Sequence, residues 1–420
     1  MIRLDALEIL DSRGQPTLAV AAQLEDGTKA WARVPSGAST GSKEALELRD
    51  GDPKRFLGKG VEKAVAHVLG PLQDAVAHLS PERQEEVDRA LLAADGTPSK
   101  SKLGANAILG VSMAVAAAAA KSRGLPLYRY WKQEGPYRLP VPLLNVINGG
   151  RHADNNLDLQ EFMLVPHGFP TFHRALRAAA EIYQHLKHLL RERNLSTGVG
   201  DEGGFAPDLR SDEEALELLV EAIERAGYRP GEEVSLAIDA AASELGQKGR
   251  YRVQGEAMEA PSLVALYEKW SRLYPVVSLE DGLGEDDPQG WQALNRALGN
   301  RWQLVGDDLF VTSRELILWG QREKLANTVL IKPNQVGTLT ETFAALEACR
   351  NGGWRAILSH RSGETEDTII ADLAVASGAG QIKTGAPARG ERVAKYNRLL
   401  LIEKELGEDG MYAGPEFFPR

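Results

Sequence analysis

The sequence predicts an α/β protein in which an α+β opening third is followed by parallel strands that close into a barrel. Three observations predict it. Beyond Ser235, short apolar runs stop abruptly at a polar residue. Most intervals between these stops hold one amphipathic helical pattern, the size of one strand-helix unit. Before Tyr128 the chain reads differently, as strands followed by a long helical stretch.

In order, PTLAVAAQLEDG reads as an alternating strand and KAWARVP as a second one. The loop SGASTGSKE follows, then helical patterns from about Gly60 to Ser122. The most apolar stretch, Val111 to Ala120, is short of the ~20 residues of a membrane helix, so we read it as a core helix. Tyr128 to Val141, YRYWKQEGPYRLPV, carries two prolines and a glycine. We place a boundary there, between units at residues 1–132 and 133–420.

The rhythm then begins. SLAID stops at Asp239, VVSLE at Glu280, QLVGD at Asp307, VLIK at Lys332, AILSH at His360 and QIK at Lys383, with spacings of 41, 27, 25, 28 and 23 residues. Continuous apolar runs are the mark of strands buried on both faces. Barrel active sites lie at the C-terminal ends of such strands, so the six polar residues are expected to converge on one mouth.

The composition limits what that mouth serves. With 43% hydrophobic and 26% charged residues over 420 positions, the chain can bury a large core. A net charge of −10 without a long basic run disfavours nucleic acid and anionic membranes as main partners. The one cysteine, Cys349, cannot form an intrachain disulfide, which fits a reducing, cytoplasmic setting. The first residues, MIRLDALEILDSRG, lack the apolar core of a signal peptide.

Asp239, Glu280 and Asp307 are hard oxygen ligands suited to an octahedral Mg²⁺, because bare carboxylates crowded together would repel. Lys332 and Lys383 add cations. Near a metal and a second ammonium, the pKa of Lys332 should fall, making it a candidate general base. The stretch LSHRSGETED has two readings. Thr365 or Ser362 could simply cap a helix, or Arg361 could grip a phosphate or carboxylate in a bidentate fork with Ser362 beside it. His360 is open between packing and ligand.

Longer motifs carry a resemblance. VPSGASTGSKEALELRDGD, NGGRHADNNLDLQEFM, VGDEGGFAPDL, VSLEDGLGEDD, GDDLFVT, IKPNQVGTLTET and LSHRSGETEDT resemble, in the right order, the signatures of the enolase (phosphopyruvate hydratase) family. The resemblance implies a modified TIM-type (β/α)8 barrel with an N-terminal α+β capping domain. It also implies interconversion of 2-phosphoglycerate with phosphoenolpyruvate and water, two Mg²⁺ per site with the second arriving with substrate, and a homodimer or octamer.

Residue by residue, it makes Asp239, Glu280 and Asp307 ligands of the first Mg²⁺ and Ser39 a ligand of the second. Lys332 becomes the base and Glu202 the proton donor, with a pKa expected to be raised by burial and by Glu161. Arg361, Ser362 and Lys383 would contact substrate phosphate and carboxylate, and His152, Gln160 and Glu161 would line the pocket. Gln15, Leu7 and Ala240 depart from the usual pattern, and Leu7 bears on the subunit contact. Another lyase or racemase acting α to a carboxylate would keep the three acids but has no use for Ser39 or the Arg361–Ser362 grip. A surface-displayed binding role gains no support from the terminal arginine in GPEFFPR.

Overall fold

The computed structural model describes residues 1–38 and 41–419. Arg3–Leu10 (β1), Pro16–Gln23 (β2) and Lys29–Arg33 (β3) form an antiparallel sheet in that order. The helix Ala105–Ser122 (α1) packs on β2 and β3. Its small side chains permit a close approach: a Cβ at Gly110 would come within 2.5 Å of Val20. At 18 residues α1 is long and apolar enough to cross a membrane, yet it is 83% buried inside the protein, as expected of a core helix.

Eight strands close the barrel, each beside the next: Val141–Asn148 (β4), Glu161–Val165 (β5), Ser235–Asp239 (β6), Val276–Glu280 (β7), Gln303–Gly306 (β8), Thr328–Ile331 (β9), Arg355–Ser359 (β10) and Gln381–Lys383 (β11). β5 runs antiparallel to both neighbours, and the remaining pairs are parallel. Two helices, Phe172–Glu192 (α2) and Asp212–Arg225 (α3), intervene between β5 and β6. The long interval from Asp239 to Glu280 is explained by an extra hairpin, Arg250–Val253 with Glu256–Glu259, inserted before the helix Ala260–Leu273.

Strand alternation then places the chemistry. Leu143, Met163, Ala237, Val305, Leu330 and Ile357 belong to one apolar cluster inside the barrel. Side chains repeat every second residue, so Asn145, Asp239, Asp307, Lys332 and Ser359, two positions on, point the same way one layer higher. Gln303 donates to Ser278 Oγ and Gln381 Oε1, both at 3.0 Å, across the same interior. Two positions beyond Ser278 and Gln381 come Glu280 and Lys383. On the reversed β5 the equivalent position is two residues earlier, at Glu161.

One buried acid outside this layer yields a stability test. Asp212 opens α3, accepts a hydrogen bond from Leu159 N at 3.2 Å, and is pushed by burial up to about 6. Its folded value lies above the unfolded one, so its contribution is favourable below about pH 4 and is lost as pH rises through about 6. Asp212→Asn should therefore raise stability at pH 7 by on the order of 3 kcal/mol, seen as a higher Tm, with the gain vanishing near pH 4. Melts at both pH values check it; a gain independent of pH would contradict the titration.

Candidate active site

The register sets the acids side by side: Glu161 lies opposite Asp239, and Asp239 opposite Glu280. Lys383 stands among them. Its Nζ is 3.0 Å from Asp239 Oδ2, 2.9 Å from both Glu280 oxygens and 3.1 Å from Glu161 Oε2. Burial works against this ammonium, but Asp239, Glu161 and Glu280 carry its pKa well above the usual range. Three buried carboxylates around one ammonium still leave excess negative charge. Burial, with Asp239 next, accordingly pushes Glu280 well above the ordinary carboxyl value.

Lys332 pairs with Asp307 Oδ2, and its backbone N donates to Thr312 Oγ1 at 2.9 Å. Gln335 Nε2 donates to the other Asp307 oxygen at 2.9 Å. Burial pushes Lys332 down, and Arg361 and Lys383 add to that, but Asp307 outweighs them and the pKa ends raised. The fall expected from sequence is thus not a property of these side chains alone. Asp281 accepts from the backbone N of Asp307 and of Asp308, at 2.9 and 3.0 Å, bracing this end of the site.

Across the mouth, Glu202 accepts from Asn145 Nδ2 at 3.0 Å and lies 3.2 Å from His360 Nε2. Arg392, fully buried, approaches His360 Nδ1 at 2.7 Å. An arginine only donates, so Nδ1 accepts and the ring proton sits on Nε2, toward Glu202. Burial lowers His360 to about 4, against the pull of the Glu202 carboxylate. His152 Nδ1 stands 3.5 Å from Glu161 and 3.6 Å from Glu202.

The expected rise at Glu202 needs correcting. Burial pushes its carboxyl up, but His360, His152 and Arg392 bring it well below the usual value. Burial and the charge of Glu202 instead carry Glu161 well above it. His152, Glu161 and Glu202 offer ligand atoms within 4.8 Å of one another, close enough for the charge of one carboxyl to govern the titration of the other. The glycines around Glu202 are required sterically. A Cβ at Gly200 would lie 2.4 Å from His152 O, and Gly203 has φ +87.

The grip lies between these ends. Arg361 NH1 and NH2 reach the two carboxylate oxygens of Glu44 at 3.0 and 3.2 Å, and Ser362 Oγ accepts from Ala38 N at 2.8 Å. Arg392 donates to the carbonyls of Arg361 and Ser362, each at 2.6 Å, and of Asp201 at 3.1 Å. One guanidinium thereby holds the grip turn against the Glu202 turn. Neither Ser362 nor Thr365 caps the next helix, which begins at Ile369 with its backbone N bonded to Asp367.

His152, Gln160, Glu161, Glu202, Asp239, Asp307, Lys332, His360, Arg361, Ser362 and Lys383 line one cavity of about 20 Å³. Glu280 sits behind Lys383, and Ser39 lies outside the described residues. The Gln160 side-chain oxygen finds no donor among the described residues. Sequence reading missed Asn145, Glu44, Gln335, Asp281 and Arg392. Asn145 alone left a signal, a polar residue inside the apolar run of β4.

Family models match over nearly the whole chain. The enolase N-terminal domain covers residues 1–131, and the enolase C-terminal TIM barrel domain covers residues 136–420. The chain belongs to the enolase family. It is similar to a curated enolase of Rubrobacter xylanophilus, 57% identical over 409 residues, which span 97% of this chain and 95% of that protein. As a member of the enolase family it is a glycolytic lyase that interconverts 2-phosphoglycerate and phosphoenolpyruvate and uses a divalent metal ion. Asp239, Glu280 and Asp307 are hard oxygen donors of the right chemistry for such an ion, held at adjacent strand ends by Lys383 and Lys332, while the all-carboxylate group whose oxygens already lie within 4.8 Å of one another among the described residues is Asp281, Asp307 and Asp308.

Proposed function

We propose that this mouth performs the dehydration with Lys332 as base, the Glu161–Glu202 pair as acid, and Arg361 and Ser362 as the phosphate grip. The convergence of these groups with Asp239 and Asp307 on a single buried cavity, with Glu280 behind Lys383, carries the reading. Lys332 Nζ takes the α-proton, and the electron pair it leaves moves into the carboxylate as an ene-diolate. The C3–OH bond then breaks, the double bond forms, and the departing hydroxide leaves as water with a proton from Glu202. Because Glu161 holds the raised carboxyl, the proton is stored on the pair and delivered through Glu202.

Lys383 faces the dianion and offsets its charge. Two Mg²⁺, with Asp239, Glu280 and Asp307 holding the first and Ser39 joining the second, would spread the remaining charge and draw Asp307 off Lys332, as in enolase-superfamily sites generally. His152, His360 and Gln160 close the pocket and orient the acid pair. Absorbance in the enol-phosphate band after adding 2-phosphoglycerate, with and without Mg²⁺, tests the reading. No rise with Mg²⁺ present would overturn it.

The grip has its own test. Arg361→Lys keeps the charge and loses the planar fork, so KM for 2-phosphoglycerate should rise about tenfold or more at saturating Mg²⁺. Wild-type KM and kcat in that variant would remove Arg361 from the role.

The same reading includes a division of the chain near residue 132, supported by the two family matches, which meet between residues 131 and 136. It also includes a homo-oligomer, dimer or octamer, supported by the exposed Leu7 and Leu10 on the edge strand β1. A cytoplasmic setting is supported by the one buried thiol, Cys349.

A further inference from the structure

We propose that Glu44 is an internal stand-in for the substrate phosphate: a positioning residue that fills the Arg361 fork until an anion displaces it, and so relays anion binding to the metal end of the site. The inference rests on Arg361 being the grip. Both side chains are withdrawn from solvent, Arg361 at 3% and Glu44 at 8% exposure. The Glu44 oxygens meet NH1 at 3.0 Å and NH2 at 3.2 Å, the two-point contact that a guanidinium also makes with phosphate. An anion arriving at that fork competes with Glu44 directly.

Glu44 has other obligations. Its Oε1 also accepts from Gly41 N at 3.0 Å and from Gln335 Nε2 at 3.2 Å. The same Gln335 nitrogen donates to Asp307 Oδ1 at 2.9 Å, so one amide joins Glu44 to Asp307. A carboxylate needed only to neutralise Arg361 has no reason to sit at this junction. When an anion takes the fork, Gln335 and Gly41 lose an acceptor together. Asp307, the partner of Lys332, then feels the event through Gln335.

Glu44→Gln keeps the size and an acceptor oxygen but removes the charge. Inorganic phosphate, titrated calorimetrically into the full chain, should bind that variant roughly tenfold tighter, the scale of one lost hydrogen bond to a charged group. Its kcat on 2-phosphoglycerate should fall severalfold as the relay is lost. A purely structural role would weaken binding and turnover together. Phosphate affinity unchanged or weakened in Glu44→Gln, or kcat unchanged, overturns the proposal. Glu44→Asp, which keeps the charge on a shorter arm, should not tighten phosphate; tightening equal to that of Glu44→Gln also overturns it. Unchanged phosphate affinity in Arg361→Lys instead overturns the grip reading itself.

Discussion

Lys332→Ala should lose both dehydration and exchange of the substrate α-proton with deuterated water, whereas Glu202→Gln should lose dehydration and keep exchange. The two groups stand at opposite sides of the mouth, Lys332 on Asp307 and Glu202 against His360, so each can be removed without touching the other. A positioned acid or base is worth ~10² to 10⁴-fold, or roughly 3 to 5 kcal/mol of barrier. Proton NMR on 2-phosphoglycerate reads exchange separately from turnover. Because Glu161 carries the raised carboxyl, Glu161→Gln should behave as Glu202→Gln does. Exchange that survives Lys332→Ala and vanishes in Glu202→Gln would make Glu202 the base.

Asp307→Asn should raise the Mg²⁺ concentration needed for activity by on the order of 100-fold, the upper end of what is lost when a supporting group of a metal site is removed. A neutral amide leaves a divalent ion with less compensating charge, while Asp239 and Glu280 remain. The substitution has a second, separable effect. Asp307 is what holds the Lys332 ammonium above its usual value, so the pKa of Lys332 should drop and the ascending, acid-side limb of the pH–rate profile, where the base loses its proton, should move to lower pH. Direct Mg²⁺ titration reads the first effect and the pH profile the second. Unchanged Mg²⁺ affinity would exclude Asp307 as a ligand.

The barrel was legible because its strands are buried on both faces and end in single polar residues: Asp239, Glu280 and Lys383 are the last residues of their strands, and Asp307, Lys332 and His360 follow theirs directly. Glu161 broke the rule. Its strand is reversed, so the polar residue comes before the apolar run, and only the family resemblance pointed to it. Charge state was less legible than position. Whether Glu202 or Glu161 carries the raised carboxyl depends on His152, His360 and Arg392, which lie far apart in sequence and meet only in the fold. Glu44, Gln335 and Arg392 act through contacts across the domain junction or between loops, and no periodicity announces such contacts.

The cavity of about 20 Å³ holds little more than one water, for which ~10–15 Å³ suffices. A phosphoglycerate needs more room than that, so its binding requires the walls to draw apart. If roughly one molecule in ten is open at any instant, the apparent Kd is tenfold weaker than the intrinsic one. Stopped-flow association should level off at high ligand concentration, at the rate of opening, and variants that prop the walls apart should bind faster without making any new contact.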